Sequence, residues 1–300
     1  MRGRELHGII LLDKPVGLSS NEALQEVKKI FHAQKAGHTG SLDPLASGLL
    51  PICFGEATKY SDYMLNSDKT YRTEMTLGVS TTTGDKEGQI LHEAPIPQLK
   101  EEQLAETLAS FLGESRQIPP MYSALKQDGQ PLYKLARQGV EVNREARTIW
   151  IDFLNMTEFN VPTVKFDVKC SKGTYIRTLV EDMGKALGCP AHVSDLRRTT
   201  HGVFDINGAV TIDELNQLRQ EKAFQALDNK ILPIETALSE LPSISLSEDS
   251  AFYVKQGQAV QVAKAPVDGW VSLFGANDMF MGIGEIQDDG KVKPKRMLKT

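Results

Sequence analysis

The chain has 300 residues, of which 40% are hydrophobic, so it can bury one large core and still form a small second domain. Its three cysteines show no CxxC or His-rich spacing, which argues against a disulfide framework and a structural zinc site. No apolar run approaches the roughly eighteen residues of a membrane span, and the N-terminus lacks an apolar targeting core. We expect a cytoplasmic protein without membrane contact.

The net charge of -5 by itself argues against a nucleic-acid partner, because phosphate contacts need Lys and Arg. The charge is unevenly distributed, however. Residues 165–198 contain seven basic and four acidic side chains, and residues 291–300 contain five basic side chains and no acidic one. The acidic excess is concentrated in residues 213–251. Local charge therefore keeps nucleic-acid binding open.

The first predicted elements are a strand and a helix. Residues 7–12 are an apolar run that ends in a turn at 13–17, which is typical of a buried strand. Ser19 and Glu22 match a capping box. Apolar residues then follow at helical spacing, namely Ala23, Leu24, Val27, Ile30 and Phe31. An amphipathic helix is therefore expected to lead into the segment at residue 37.

Residues 37–51, GHTGSLDPLASGLLP, form what we call the glycine loop. Its glycines permit tight turns, and Asp43 is its only carboxylate. Asp43 followed by Pro44 reads as a helix start, with the aspartate as N-cap and the proline at the first helical position. On the residues alone this capping role outranks catalysis, and His38 is more often a hydrogen-bonded loop histidine than a functional group.

The middle of the chain predicts strands and a basic segment. Residues 69–78 alternate with period two, so Tyr71 is on its own a strand aromatic, and the polar turn 83–88 makes Asp85 an Asx-turn residue. Residues 95–112 predict a packed helix. Residues 117–147, which we call the flap, combine tyrosines with basic side chains that include Lys126 and Arg137. This mixture suits a mobile cover over a phosphate backbone, and a solvated helix face is the alternative.

The second half predicts a strand at 163–170, a glycine turn and a helix that ends before Gly188. This order of elements can bind an anion or another ligand, although the geometry alone has little specificity. Residues 215–237 are acidic and read as a helical scaffold. After a linker at 241–243, short strands separated by glycines predict a small β-rich barrel.

Several strings resemble one known family. GHTGSLDPLASGLLPICFGEATKY (37–60) resembles the signature of the TruB family of tRNA pseudouridine-55 synthases, and KTYR (69–72) and CSKGTYIRTL (170–179) resemble its second and third motifs. A fourth match covers 191–199, and the strings after residue 270 resemble, more loosely, a PUA-like domain.

The resemblance implies an α+β pseudouridine-synthase fold, with a mixed, mainly antiparallel central sheet flanked by helices. It also implies a catalytic domain at 1–241, including the flap, and a PUA-like RNA-binding β-barrel at 242–300. The implied activity is isomerisation of uridine-55 in the T loop of tRNA, by base flipping and by cleavage and re-formation of the glycosidic bond. tRNA is the implied partner. No cofactor is implied, because no phosphate-binding loop, dinucleotide fingerprint or metal-ligand spacing is present. No protein partner is implied either, and we expect a monomer.

The resemblance also assigns roles to residues. It makes Asp43 the catalytic aspartate and Arg177 its partner, and it puts Tyr71 against the base, where a tyrosine can stack and transfer a proton. Tyr175 would line the uracil pocket. The main chain near Leu196 would meet the base, and His38 would insert into the RNA loop.

Three supporting roles complete the expected site. Asp85 would steady it, Lys126 and Arg137 would contact phosphates from the flap, and Arg197 and Arg198 are candidate phosphate contacts. An arginine beside Asp43 would lower the pKa of that carboxyl by roughly 1–3 units and keep it charged.

Alternatives remain open. One is an RNA-folding chaperone in which catalysis is secondary, and another is an aspartate-dependent nucleosidase or glycoside hydrolase, although no second carboxylate at fixed spacing is evident. Asp43 could attack C1′, add to C6 of the base or remove a sugar proton.

Overall fold

The computed structural model describes residues 3–299, which fold into two main sheets, two two-stranded sheets and eight α-helices. The helices are α1 Ser20–Phe31, α2 Ser61–Leu65, α3 Glu101–Ala109, α4 Leu132–Arg137, α5 Ile176–Ala186, α6 Ile212–Gln220, α7 Phe224–Asp228 and α8 Glu248–Lys255. The strands are β1 Gly8–Lys14, β2 Ala36–His38, β3 Ser47–Phe54, β4 Lys69–Leu77, β5 Val79–Thr81, β6 Ile90–Glu93, β7 Gly113–Gln117, β8 Lys126–Gln127, β9 Gln130–Pro131, β10 Arg147–Asn160, β11 Thr163–Cys170, β12 Ala191–His201, β13 Phe204–Asp205, β14 Val210–Thr211, β15 Ser243–Ser245, β16 Val260–Gln261, β17 Trp270–Phe274, β18 Phe280–Ile286 and β19 Lys291–Met297. No described helix is long and apolar enough to cross a membrane.

The large sheet has ten strands in the order β14-β1-β3-β12-β4-β11-β10-β7, with β2 beside β3 and β13 beside β12. The pairs β1–β14 and β3–β12 are parallel, and the other pairs are antiparallel. This confirms the expected mixed, mainly antiparallel sheet. The β3–β12 pair joins residues about 150 positions apart, so it brings the glycine loop next to the second half of the chain.

The regular elements follow the burial pattern of the sequence. Strand β11 spans the predicted residues 163–170 and buries Val164, Phe166, Val168 and Cys170. Helix α1 is capped by Ser19, whose hydroxyl accepts from the Glu22 backbone N–H at 3.3 Å while the Glu22 carboxylate accepts from the Ser19 N–H at 2.8 Å. Both predictions are confirmed, because alternation and capping depend on neighbouring residues only.

The predicted helix start at Asp43 and Pro44 is wrong. Residues 41–46 form a turn, closed by a hydrogen bond from the Ala46 N–H to the Asp43 carbonyl at 3.0 Å, and strand β3 begins at Ser47. Leu45 and Ala46 are fully buried beneath the sheet. Pairing of β3 with β1 and β12 therefore overrides the local helix preference, and the Asp43 side chain caps no helix.

The small sheet is C-terminal, with the order β15-β17-β18-β19-β16 and its own apolar core around Val254, Val271 and Val292. This confirms the predicted β-rich segment. A separate cluster joins it to the large sheet, where Phe280 packs against Tyr60 with ring centroids 5.9 Å apart.

Replacing Ser19 with alanine removes the N-cap of α1, so we expect Ser19→Ala to lower the free energy of unfolding by about 1 kcal/mol. Urea denaturation followed by circular dichroism measures this change. Gln25→Ala, at an exposed position of the same helix, is the matched control and should leave stability nearly unchanged. Equal stability of Ser19→Ala and wild type would contradict the assigned cap.

Candidate active site

A cavity of about 330 Å³ opens where the glycine loop, β4, β12, the flap and the N-terminus of α5 meet. It collects six of the predicted site residues, which come from four separate segments of the sequence. Its lining comprises Gly40, Ser41, Leu42, Asp43, Leu65, Lys69, Tyr71, Ser123, Ala124, Leu125, Ser171, Gly173, Thr174, Tyr175, Ile176, Arg177, Leu196 and Arg198. The expected grouping of Asp43, Tyr71, Tyr175, Arg177 and Leu196 around one cavity is therefore present.

Asp43 and Arg177 form an ion pair, with 3.0 Å between the carboxylate Oδ2 and the guanidinium Nε. The Arg177 side chain is only 5% exposed, whereas that of Asp43 is 41% exposed. The remaining guanidinium nitrogens are also used, since Nη1 donates to the Thr83 carbonyl and Nη2 to the Tyr122 carbonyl, both at 2.7 Å. The guanidinium is thus fixed from three sides, and it holds the carboxylate at the cavity wall.

Asp85 is a second carboxylate near this guanidinium, with its Oδ2 3.8 Å from Arg177 Nε. Its other oxygen accepts hydrogen bonds from the Thr83 hydroxyl at 2.6 Å and from the Glu87 N–H at 3.1 Å. The latter bond is an Asx turn. Asp85 is therefore both a turn residue and a buried neighbour of the ion pair.

Burial raises the pKa of the Asp43 carboxyl, and Arg177 offsets only part of that rise. Arg177 lowers this pKa, as expected, but by less than burial raises it, so the pKa does not lie below its ordinary value. The reason is that desolvation disfavours the charged carboxylate, and the charge of Asp85 adds to the effect.

Tyr71 and Leu196 lie on adjacent strands at the base of the cavity. Burial raises the pKa of the Tyr71 hydroxyl, and the positive charge of the neighbouring Arg198 opposes the rise. Leu196 is 5% exposed and pairs with Thr73 across the sheet. One wall of the cavity is thus aromatic and apolar.

Arg198 is not a surface phosphate contact, because it is 1% exposed. Its Nε donates to the Leu49 carbonyl at 2.7 Å and its Nη2 to the Gly40 carbonyl at 3.1 Å. Arg197 is bound bidentately by Asp13 at 3.0 and 2.7 Å. The two adjacent arginines point to opposite faces of β12. The expected phosphate contact is wrong for the buried Arg198, whereas for Arg197, whose side chain is 36% exposed, it stays a prediction.

His38 lies in β2, opposite Ile52, and outside the residues that line the cavity. Burial lowers the pKa of its imidazole, and its Nδ1 has no hydrogen-bond partner among the described residues. The structure therefore does not bring His38 into the same cavity as Asp43.

The flap contains the short hairpin β8–β9 and helix α4, and its residues 123–125 line the cavity. Lys126 and Arg137 are exposed, and the Arg137 guanidinium stacks over the Tyr133 ring at 5.7 Å. Arg144 differs, since it donates to the Pro119 carbonyl at 3.2 Å within the flap. The basic residues of the flap therefore divide into exposed and structural ones.

Sequence reasoning missed two buried side chains, Ser20, which supports the glycine loop, and Lys14, whose ammonium donates to the carbonyls of Pro15 and Leu18. The buried Ser20 hydroxyl accepts from the Leu42 N–H at 2.6 Å and donates to the Leu42 carbonyl at 3.0 Å, next to Asp43. Lys14 is fully buried, and burial lowers its pKa to about 8, which Asp43 partly opposes. Nothing in the local pattern distinguishes Ser20 from an ordinary first-turn serine.

Residues 3–299 contain no group of three or more His, Cys, Asp and Glu side chains arranged for a metal ion. The site is instead one carboxylate held by a guanidinium, beside two tyrosines, in a cavity over the central strands β4 and β12 of a mixed sheet. Fold and site together define an enzyme of the pseudouridine-synthase class.

Three family models cover most of the chain. "TruB family pseudouridylate synthase (N terminal domain)" matches residues 28–176, "tRNA pseudouridylate synthase B C-terminal domain" matches 177–239, and "Pseudouridine synthase II TruB, C-terminal" matches 242–298. The chain belongs to the TruB family of pseudouridylate synthases.

Curated relatives match over nearly their whole length. The tRNA pseudouridine synthase B of Nitrosococcus oceani is 50% identical over 297 residues, covering 99% of this chain and 96% of the relative. That of Pseudomonas aeruginosa is also 50% identical, covering 99% and 97%. That of Coxiella burnetii is 51% identical over 296 residues, covering 99% and 96%.

Solved structures agree on the fold. A chain from a crystal structure of a Cbf5-Nop10-Gar1 complex aligns with a TM-score of 0.75 at 27% identity, covering 98% of this chain and 84% of that one. A chain of an H/ACA RNP bound to a substrate RNA containing 2'-deoxyuridine aligns with a TM-score of 0.73 at 25% identity, covering 98% and 86%.

Replacing Asp85 with the isosteric asparagine removes a negative charge that raises the pKa of Asp43. The acid limb of the pH profile reports loss of the ionised carboxylate, so Asp85→Asn should move this limb to lower pH. Single-turnover pseudouridine formation across the acidic range measures it. Asp182→Asn, which removes an equal charge from the exposed side of α5, should leave the limb in place. A shift of the Asp85→Asn limb to higher pH would contradict the assigned interaction.

Proposed function

We propose that this protein isomerises uridine-55 in the T loop of tRNA to pseudouridine, with Asp43 as the catalytic carboxylate. The observation that carries the proposal is the Asp43–Arg177 pair at the wall of a cavity lined by Tyr71 and Tyr175. The relatives named tRNA pseudouridine synthase B, which are about half identical over 99% of the chain, support tRNA as the substrate.

The target uridine leaves the base stack before it reacts, because a glycosidic bond inside a folded loop is inaccessible to a carboxylate in a cavity. Flipping costs a few kcal/mol of unstacking. The aromatic side chains of Tyr71 and Tyr175 and the apolar side chain of Leu196 recover part of this cost by contacting the base. His38 is proposed to occupy the space that the base vacates. Its position in the glycine loop supports this role.

The reaction itself needs one ionised carboxylate and no redox partner. The N1–C1′ bond breaks, the uracil turns while it remains in the cavity, C5 bonds to C1′ and the proton leaves C5. Asp43 starts the sequence by attack on C1′, by addition to C6 or by removal of a sugar proton. In each case Arg177 stabilises the carboxylate, and the hydroxyl of Tyr71 is proposed to take part in proton transfer. Asp85, whose carboxylate lies 3.8 Å from the same guanidinium nitrogen, is proposed to steady Arg177.

The flap is proposed to cover the bound RNA. The charges of Lys126 and Arg137 are exposed on the flap, while its residues 123–125 line the cavity. Basic side chains at this position would contact the phosphates of the flipped loop.

We also propose a division into a catalytic domain, residues 1–241, and a PUA-like RNA-binding domain, residues 242–300. The separate five-stranded sheet and the junction of two family models between 239 and 242 support it. Residues 1, 2 and 300 lie outside the described part of the chain. A monomer in the cytoplasm, where tRNA is modified, completes the proposal.

Asp43→Asn keeps the shape of the side chain and removes its charge. We expect it to abolish pseudouridine formation and to leave the Kd for tRNA within about tenfold of wild type, because most binding energy comes from the phosphate backbone. Release of a label from C5 of uridine in tRNA measures the reaction. Asp195→Asn, an exposed carboxylate beside Leu196 on β12, should react at the wild-type rate. Residual turnover of Asp43→Asn near wild type would refute the assignment.

The same labelled tRNA separates the alternatives for the wild-type protein. Release of the C5 label without free base supports isomerisation. Free uracil would instead identify a hydrolase, and tRNA binding without either product would identify a chaperone.

Neutralising Lys126 and Arg137 together, as glutamines, should weaken tRNA binding and flatten its salt dependence. For each phosphate that is no longer bound, the slope of log K against log salt should become shallower by about 0.7 to 0.9. Filter binding over a range of salt concentrations measures this slope. Lys230→Gln, an exposed lysine of the acidic segment, should leave it unchanged. An unaltered slope in the double variant would show that neither residue contacts a phosphate of the tRNA.

A further inference from the structure

Gln117 is a buried polar side chain that the catalytic roles above do not use. It is the last residue of β7 and the first residue of the flap, and it is 4% exposed. Its amide makes two hydrogen bonds to the main chain of a single distant residue. The Tyr175 N–H donates to Gln117 Oε1 at 2.8 Å, and Gln117 Nε2 donates to the Tyr175 carbonyl at 3.0 Å. The side chain thus pairs with Tyr175 as a neighbouring strand would.

Among the described residues, the N–H half of this pairing has no other partner, whereas the Tyr175 carbonyl also accepts from the Leu179 N–H of α5 at 3.1 Å. Tyr175 is the N-cap residue of α5, and N–H groups at the start of a helix have no acceptor within that helix. Two bonds to one residue fix both the position and the plane of its peptide groups. They therefore also fix the direction of the Cα–Cβ bond, which carries the ring that lines the cavity.

The same glutamine lies at the base of the flap. Gln117 pairs with Arg147 on β10, so it marks the point where the flap leaves the sheet and returns to it. A second link runs from the flap to the ion pair, because the Tyr122 carbonyl accepts from Arg177 Nη2. The base of the flap is consequently bound to both Tyr175 and Arg177.

We propose that Gln117 is a positioning residue for pseudouridine formation, acting through Tyr175. It holds the main chain of Tyr175 so that the ring meets the flipped uracil, and it ties the placement of that ring to the base of the flap. This inference rests on the proposed function. Gln117 itself touches neither the base nor Asp43.

The test replaces Gln117 with methionine, which has nearly the same length and cannot form either hydrogen bond. When the enzyme is in saturating excess over tRNA, the single-turnover rate should fall by about tenfold to a hundredfold. A loss of this size is expected when a side chain that contacts the substrate is slightly misplaced. The Kd for tRNA should stay within about threefold, because phosphate contacts dominate binding. A wild-type rate for Gln117→Met would overturn the proposal.

Two further variants separate positioning from general destabilisation. Ile149→Val removes one methyl group from the core under the same strand pair, where the buried Ile149 opposes Ser115 on β7, and leaves both hydrogen bonds of Gln117 in place. It should lower the Tm and keep the wild-type rate. Gln117→Asn is one methylene shorter, so its amide cannot reach both the N–H and the carbonyl of Tyr175. It should slow the reaction likewise, and it replaces the methionine variant if that variant does not fold. Equal rate losses in Ile149→Val and the Gln117 variants would overturn the proposal.

A double-variant cycle tests the route through Tyr175. If Gln117 acts by placing this ring, Gln117→Met should change the rate less than about threefold when Tyr175 is already alanine. Losses that multiply would show that Gln117 acts elsewhere and would overturn the inference.

Hydrogen exchange of the Tyr175 amide gives a readout that is independent of activity. Faster exchange in Gln117→Met supports the pairing, and unchanged exchange contradicts it. If wild-type protein released no C5 label, the proposed function would fail, and this exchange measurement would still decide whether Gln117 holds Tyr175.

Discussion

A buried guanidinium imposes the main constraint on this site. Arg177 is almost fully excluded from solvent, and a buried charge costs several kcal/mol unless every donor finds an acceptor. Its acceptors are Asp43, the Thr83 carbonyl and the Tyr122 carbonyl. These come from the glycine loop, the turn after β5 and the flap, so three irregular segments converge on the first turn of α5 because one side chain requires all of them.

A second buried guanidinium supports the same loop from the other side. Arg198 binds the carbonyls of Leu49 and Gly40, whereas Arg177 binds the carboxylate of Asp43. One arginine therefore holds the backbone of the glycine loop and the other holds its functional group. The parallel pairing of β3 with β12 makes this possible, since it places Arg198 directly beside Gly48. The topology of the sheet thus determines the geometry of the cavity.

Helices and strands in which apolar residues recur at a regular spacing could be predicted from the sequence. Strand β11 and helix α1 follow from alternation and from a cap, which neighbouring residues alone determine. The turn at Asp43 could not be predicted, because sheet pairing overrides an Asp-Pro helix start. The burial of Arg198 and the net rise in the pKa of Asp43 depend on contacts between distant segments. The site residues were found by resemblance, since periodicity alone made Tyr71 an ordinary strand aromatic.

The acidic net charge is compatible with an RNA substrate, because basic side chains on the large sheet form ion pairs with carboxylates, whereas two exposed basic side chains on the flap do not. On the face of the large sheet opposite the core, Arg72 binds Asp167 at 3.1 Å and Lys169 binds Asp152 at 2.8 Å. Lys126 and Arg137 on the flap have no carboxylate within salt-bridge distance among residues 3–299. Paired charges attract a polyanion weakly, whereas unpaired ones release counterions when phosphates bind. We infer that the RNA approaches from the flap side, where unpaired charge and the cavity coincide.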